Sequence, residues 1–201
     1  GDNFLFRSSF VSLQWTGELS RQQLDVNTGA VLPTIDWSAQ AKLDTNASRT
    51  IYTFDPTNSY NGSGTNKLKL FTYANLTGTQ QSYFALSNLL TLTQFCTIGA
   101  TCLSAADQAL AADANLVSFI AGIRTNEGAL ADNTKYYRQR LHILGDIVDS
   151  ESVYIKTPPG SFSDPGYSTF KNSAAITSRH AMVYVGANDG MLHAFRATDD
   201  T

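Results

Sequence analysis

The sequence predicts a mainly β protein, part of a β-propeller of antiparallel blades, with a short, partly helical insertion. Three observations predict it. Thr, Ser and Asn number 22, 19 and 13, beside 14 Asp and only 3 Glu, and short polar side chains favour turns and caps over helix interiors. Runs of aromatic and β-branched residues recur between turn residues from Phe4 onward. Near the carboxyl end, Met182–Gly186 and Met191–Phe195 flank Asn188, Asp189 and Gly190, a strong hairpin signal because glycine takes a positive φ without a Cβ clash.

In chain order, Phe4–Val11 and roughly Glu18–Val26 form a hairpin that closes before the turn Asn27-Thr28-Gly29. A helical turn follows over Trp37–Leu43 with Asp36 as its cap. In the strand Arg49–Phe54, Ile51 and Thr53 alternate with Tyr52 and Phe54, and both sides are expected to be covered. Thr57–Asn66 is a loop by composition, and Leu68–Tyr73 restores a strand pattern. Residues 82–124 form the insertion, rich in Leu and Ala; Ser104 caps a helix with Asp107 three positions on, and Leu110, Val117 and Ile120 lie near one face. Val153–Ile155 is expected as a buried strand entered through the polar turn Leu144–Asp149. Thr157–Gly166 holds three of the five prolines and is a surface loop, because proline cannot donate to a central ladder.

The C-terminal hairpin has two possible registers. With Asp189-Gly190 as a two-residue turn, Val185 faces Ala194, Ala187 faces Leu192 and Tyr184 faces Phe195; a three-residue loop with a bulge shifts this pairing. Either way both faces carry apolar residues, so the hairpin is expected to lie between other sheets, as a propeller blade does. Residues 1–201 are accordingly taken as part of one propeller domain.

The chain of 201 residues has a net charge of −3 and no block of Lys or Arg, which speaks against nucleic-acid binding and against a basic membrane-surface helix. No window approaches 18 consecutive apolar residues, so membrane insertion is not expected, and the start Gly1-Asp2-Asn3-Phe4 reads as a mature or excised chain. Cys96 and Cys102, with five residues between them, lack the ligand set of a zinc site; in an oxidising compartment they are a disulfide candidate contributing about 2 kcal/mol, and otherwise two inert thiols.

MVYVGANDGMLHAF (182–195) and LGDIVDS (144–150) resemble the C-terminal β-propeller of PilC/PilY-type type IV pilus proteins. The Trp15–Leu19 segment, Trp37-Ser38-Ala39, Arg49-Thr50-Ile51 and Arg138-Gln139-Arg140 follow the same order. The resemblance implies the opening portion of that propeller, in an exported bacterial protein of the pilus tip, cell surface or periplasm/outer membrane. It implies a non-enzymatic role in pilus assembly and adhesion, with minor pilins or a tip complex as partners and a host or abiotic surface as target. The family's calcium loop belongs to later blades, so calcium is expected only beyond residue 201 and no cofactor or metal within this segment. Ser152 stands where the family usually has proline, which relaxes a strand-entry constraint, and Phe119–Arg124 lacks the family's Arg-Gly-Asp-like run, so no recognition role is carried to Phe119–Arg124.

The same hairpin also looks like a blade of quinone-cofactor (PQQ-type) dehydrogenases, though the adjacent cysteines and metal ligands of those enzymes have no match here. An outer-membrane assembly scaffold is a further alternative. His142, His180 and His193 are too irregularly spaced for a local zinc pattern, so His193 is expected to be a hydrogen-bonded structural residue. Asp189 with Asn188 and Gly190 is expected to be a blade turn rather than a calcium cluster. Asp146, Asp149 and Glu151 are expected to make turn hydrogen bonds and a local salt bridge with Arg138 or Arg140. Trp15 and Trp37 are expected in blade packing.

Overall fold

The computed structural model describes residues 3–46, 49–58, 67–92, 103–129, 132 and 134–198. The chain divides into two compact units, residues 1–47 with 141–201, and residues 48–140. Cys96 and Cys102 lie outside the described residues.

The first unit opens with β1 (Phe4–Val11), β2 (Thr16–Leu24) and β3 (Val31–Ser38), an antiparallel sheet in the order β1-β2-β3. The hairpin of β1 and β2 matches the sequence expectation, but β3 does not. Its central residues Pro33 and Thr34 and its exposed Val31, Leu32 and Ile35 give no period-two pattern, and two register irregularities against β2 accompany it. Because β3 runs on to Ser38, α1 (Ala39–Thr45) starts later than expected. Its cap is Ser38, which accepts from the Ala41 N–H, rather than Asp36.

The β1–β2 loop places Trp15 at φ 54 with 63% of its surface exposed, so the expected packing role fails for this tryptophan and holds for Trp37, which is 3% exposed. A left-handed backbone costs a non-glycine residue about 1–2 kcal/mol. Trp15→Gly is therefore expected to raise stability by about 1 kcal/mol, read as a higher urea midpoint; a lower midpoint would show that indole contacts outweigh the strain.

The second unit contains β4 (Tyr52–Phe54) and β5 (Leu68–Leu70), paired antiparallel. The side carrying Tyr52 and Phe54 is exposed at 59% and 57%, so only one side of this strand is covered. A 3-10 turn over Tyr73–Asn75 leads into α2 (Gly78–Ser82), closed by a capping box between Thr77 and Gln80, and α3 (Leu86–Leu89). Ser104 caps α4 (Ala105–Leu110), accepting from the Asp107 N–H. The expected single helix is broken at Ala111-Ala112, where Asp113 opens α5 (Asp113–Ile120) at φ 53 and accepts a hydrogen bond from the Tyr73 hydroxyl at 3.0 Å. The break puts Leu110 at 48% exposure while Val117 is buried. Arg49 donates to the Ala121 carbonyl at the α5 C-terminus, where a cation favours the helix dipole. β6 (Glu127–Gly128) and β7 (Tyr137–Arg138) pair in parallel, a departure from the antiparallel pattern. The Glu127 carboxylate, its side chain 3% exposed, is satisfied by Arg140 at 2.5 Å and Arg124 at 3.2 Å, and Arg140 also lies 4.0 Å above the Phe119 ring.

The chain returns to the first unit with β8 (Val153–Ile155), two short helices α6 (Tyr167–Lys171) and α7 (Ala174–Thr177), then β9 (Met182–Gly186) and β10 (Leu192–Arg196). These strands form an antiparallel sheet in the order β10-β9-β8. The β9–β10 register pairs Val185 with His193, Tyr184 with Ala194 and Val183 with Phe195. The loop thus has three residues, and the two-residue alternative is not adopted. Gly190 stands at φ 84 and donates to the Ala187 carbonyl, the backbone shape that lets a three-residue loop absorb its extra residue.

Only one face of this sheet is covered within the unit. Val183, Val185, His193 and Phe195 are buried, whereas Val153, Ile155 and Leu192 on the opposite face are 53%, 43% and 73% exposed. The expectations of a doubly covered hairpin and a buried Val153–Ile155 are therefore corrected: alternation sends every second apolar residue to the outer face. Leu19, Trp37, Ala39, Leu43, Leu144, Ile147, Val183, Val185 and Phe195 make one core, with Phe6, Ile143 and Ala187 against it. The rings of Phe6 and Phe195 meet Trp37 edge-on at 6.0 and 5.5 Å.

Candidate functional site

The two sequence motifs that carry the resemblance meet in space. Asn188, the first loop residue, donates its N–H to the Asp146 carbonyl at 2.9 Å and its amide nitrogen to the Asp146 carboxylate at 3.0 Å. Asp189 reaches back across the same segment: Oδ2 accepts the Gly145 N–H at 3.2 Å and Oδ1 accepts the Met191 N–H at 3.0 Å. The Ser150 hydroxyl accepts the Gly186 N–H at 3.0 Å. Residues 144–150 are thereby clipped along the end of the β9–β10 hairpin.

His193 completes the clip. It is 7% exposed, and its Nε2 lies 2.9 and 3.1 Å from the two Asp189 oxygens. An ionised carboxylate only accepts, so Nε2 carries the proton of this bond. The imidazole lies nearly parallel to the Phe195 ring at 5.9 Å. Burial works to raise the Asp189 pKa, but the hydrogen bond and charge of His193, with the Gly145 and Met191 N–H groups, outweigh it and hold the carboxyl below its ordinary value. Every oxygen of this carboxylate is thus aimed at protein donors, and the cluster acts as a fastening.

A second buried polar group ties the other end of the unit. Arg21, 4% exposed, forks onto Asp36 through Nη2 at 3.0 Å and Nε at 3.3 Å, donates Nη1 to the Ala197 carbonyl, and lies 4.3 Å over the Phe4 ring. Burial raises the Asp36 pKa, yet the Arg21 hydrogen bond and charge, helped by Gln23, bring it below the usual carboxylate value. No sequence motif marks Arg21; the signal for it is its spacing of two from buried Leu19, on the same strand face.

The other candidates scatter. His142 Nδ1 meets Asp44 at 2.6 Å, while His180 is exposed. Asp146 is buried, but its carboxylate holds Asn188, 42 residues on, rather than closing its own turn; Asp149 and Glu151 are exposed and Arg140 is taken by Glu127. Among the described residues no group of three or more His, Cys, Asp or Glu is placed to hold a metal ion, and no helix is long and apolar enough to cross a membrane.

No family model matches the chain, and no solved structure does. Curated proteins do. The type IV pilus biogenesis factor PilY1 of Pseudomonas aeruginosa (strain UCBPP-PA14) is 33% identical over 202 residues, covering 96% of this chain and 15% of that protein. The chain is homologous to one segment of the PilY1-type proteins. The PilY1 of strain PAK is likewise 33% identical over 204 residues. The PilY1 homologue of Xylella fastidiosa (strain Temecula1 / ATCC 700964) is 34% identical over 199 residues, covering 96% of this chain and 13% of that protein. The chain spans about 15% of the length of the curated relatives it matches. Its clip joins the two motifs most distinctive of the resemblance, Leu144–Ser150 and Met182–Phe195.

Proposed function

We propose that the chain serves type IV pilus biogenesis and surface adhesion as a non-catalytic, rigid part of a β-propeller, presenting loops to other components of a pilus tip. The observation that carries this is the similarity, across nearly all of the chain, to proteins named as type IV pilus biogenesis factors. The β10-β9-β8 sheet supports the propeller reading. One face closes on the core, and the other presents Val153, Ile155 and Leu192 together with half-buried Met182 and Tyr184, the apolar surface a neighbouring blade would cover.

In this reading the Asp189 clip holds the blade in shape, minor pilins or a tip complex are the partners, and the protein acts outside the cell at the pilus or cell surface. The same reading assigns no cofactor to this segment and expects calcium only beyond residue 201. Deleting the parent gene is expected to reduce both surface pili, counted by electron microscopy, and attachment. A deletant with normal levels of both would overturn the proposal.

A further inference from the structure

Between β8 and β9 the chain forms an arm that packs mainly on itself. Tyr167 and Lys171 of α6 both donate to the Gly160 carbonyl, at 3.2 and 2.8 Å. Phe162 meets Tyr167 edge-on at 5.0 Å, Tyr167 lies 6.2 Å from Phe170, and at the base Arg179 Nε donates to the Lys156 carbonyl. The arm is therefore a built shape. It nonetheless leaves Phe162 and Phe170 63% and 51% exposed. Its charge also departs from that of the chain. Residues 156–180 hold Lys156, Lys171 and Arg179 against Asp164 alone, in a protein of net charge −3. Lys171 and Arg179 end on backbone carbonyls, and among the described residues neither meets a carboxylate.

From this combination we propose that the arm at 156–180 is a docking surface for an acidic segment of a partner protein. An apolar side chain of the partner rests on Phe162 and Phe170, and its carboxylates face Lys171 and Arg179. Exposed aromatics on a fixed frame are the usual anchors of protein interfaces, and two cations without counter-carboxylates set the sign of what they attract. Three cations against Asp164 fall short of the cluster of about four to eight Lys or Arg that holds a segment on an anionic bilayer, which favours a protein partner over a lipid surface. The proposal rests on the scaffold reading above, since a fixed frame is what presents the arm; its test is independent of piliation.

A phage-displayed library of short random peptides is panned against the chain and counter-panned against the Phe162→Ser, Phe170→Ser variant. Enriched peptides are expected to be net acidic with an apolar residue. Their binding should weaken at least about tenfold in that variant, weaken also in Lys171→Gln, Arg179→Gln, and fall as salt is raised. Glutamine at 171 keeps a donor for the Gly160 carbonyl, so this second pair reads charge even if the first pair misfolds. Failure to enrich, enrichment of neutral or basic peptides, binding indifferent to both pairs, or stronger Phe162-dependent sedimentation with phosphatidylglycerol vesicles would each overturn the proposal. Loss of pili on gene deletion is scored separately, so the two readings fail independently.

Discussion

Asp189→Ala is expected to lower folding stability by about 3 kcal/mol, read as a fall in the urea midpoint with an unchanged slope. The carboxylate accepts from Gly145, Met191 and His193, and its removal leaves His193 buried without that acceptor. A hydrogen bond to a charged group contributes about 1.5–3 kcal/mol, and an orphaned buried donor adds its own desolvation penalty. Asp189 keeps 21% of its side chain exposed, which moderates the sum. Asp189→Asn should fall between, since one oxygen remains but the charge does not. A midpoint unmoved in both variants would show that the clip contributes no stability.

The sign of the pH dependence follows from the same carboxyl. Its folded pKa is lowered below the ordinary value of 3.8, so the unfolded chain binds the proton more readily. The stabilisation is fully present above the unfolded pKa and is lost as pH falls through the folded one. The gap in stability between the wild type and Asp189→Ala should thus be constant above about pH 5 and close below about pH 4. A gap that widened on acidification would contradict this assignment.

What the sequence made legible was local. Gly190 marks the loop because only a residue without Cβ sits easily at φ 84, and Ser104 and Thr77 follow ordinary capping chemistry. The register of the same hairpin was not legible, since two- and three-residue loops use the same residues and differ only in which backbone groups close. The pairing of Asp189 with His193 spans a turn and belongs to no local motif. The fork of Arg21 onto Asp36 depends on β3, whose Pro33 hides it. Helices α6 and α7 lie in a stretch crowded with Ser, Thr and Asn, whose propensity argues for loop. Local hydrogen bonding outvoted propensity there, with the Gly160 carbonyl gathering Tyr167 and Lys171.

Gly17→Ala is expected to destabilise by about 3 kcal/mol or more, because the space for its methyl group is already filled by backbone. A Cβ there would lie 2.3 Å from the Gly145 carbonyl oxygen and 3.0 Å from the Ile147 nitrogen. Neither atom can swing aside as a flexible side chain would. Gly145 in turn presses on the hairpin: a Cβ on it would lie 2.7 Å from the Asp189 nitrogen. Central strand β2, the 144–150 segment and the Asp189 loop are therefore stacked through two glycines, and pushing the first should shift the second off its carboxylate. That makes a sharper expectation than a lower midpoint. In a double-mutant cycle, Gly17→Ala and Asp189→Ala should cost clearly less together than the sum of the two alone, since each disturbs the same Gly145 contact. Gly78→Ala, with nothing within 4 Å of the added carbon at the start of α2, serves as the control and should be neutral or stabilising by about 0.5–1 kcal/mol. Additive losses in the cycle, or a Gly17→Ala protein as stable as the control, would mean that β2 and the clip are not mechanically joined.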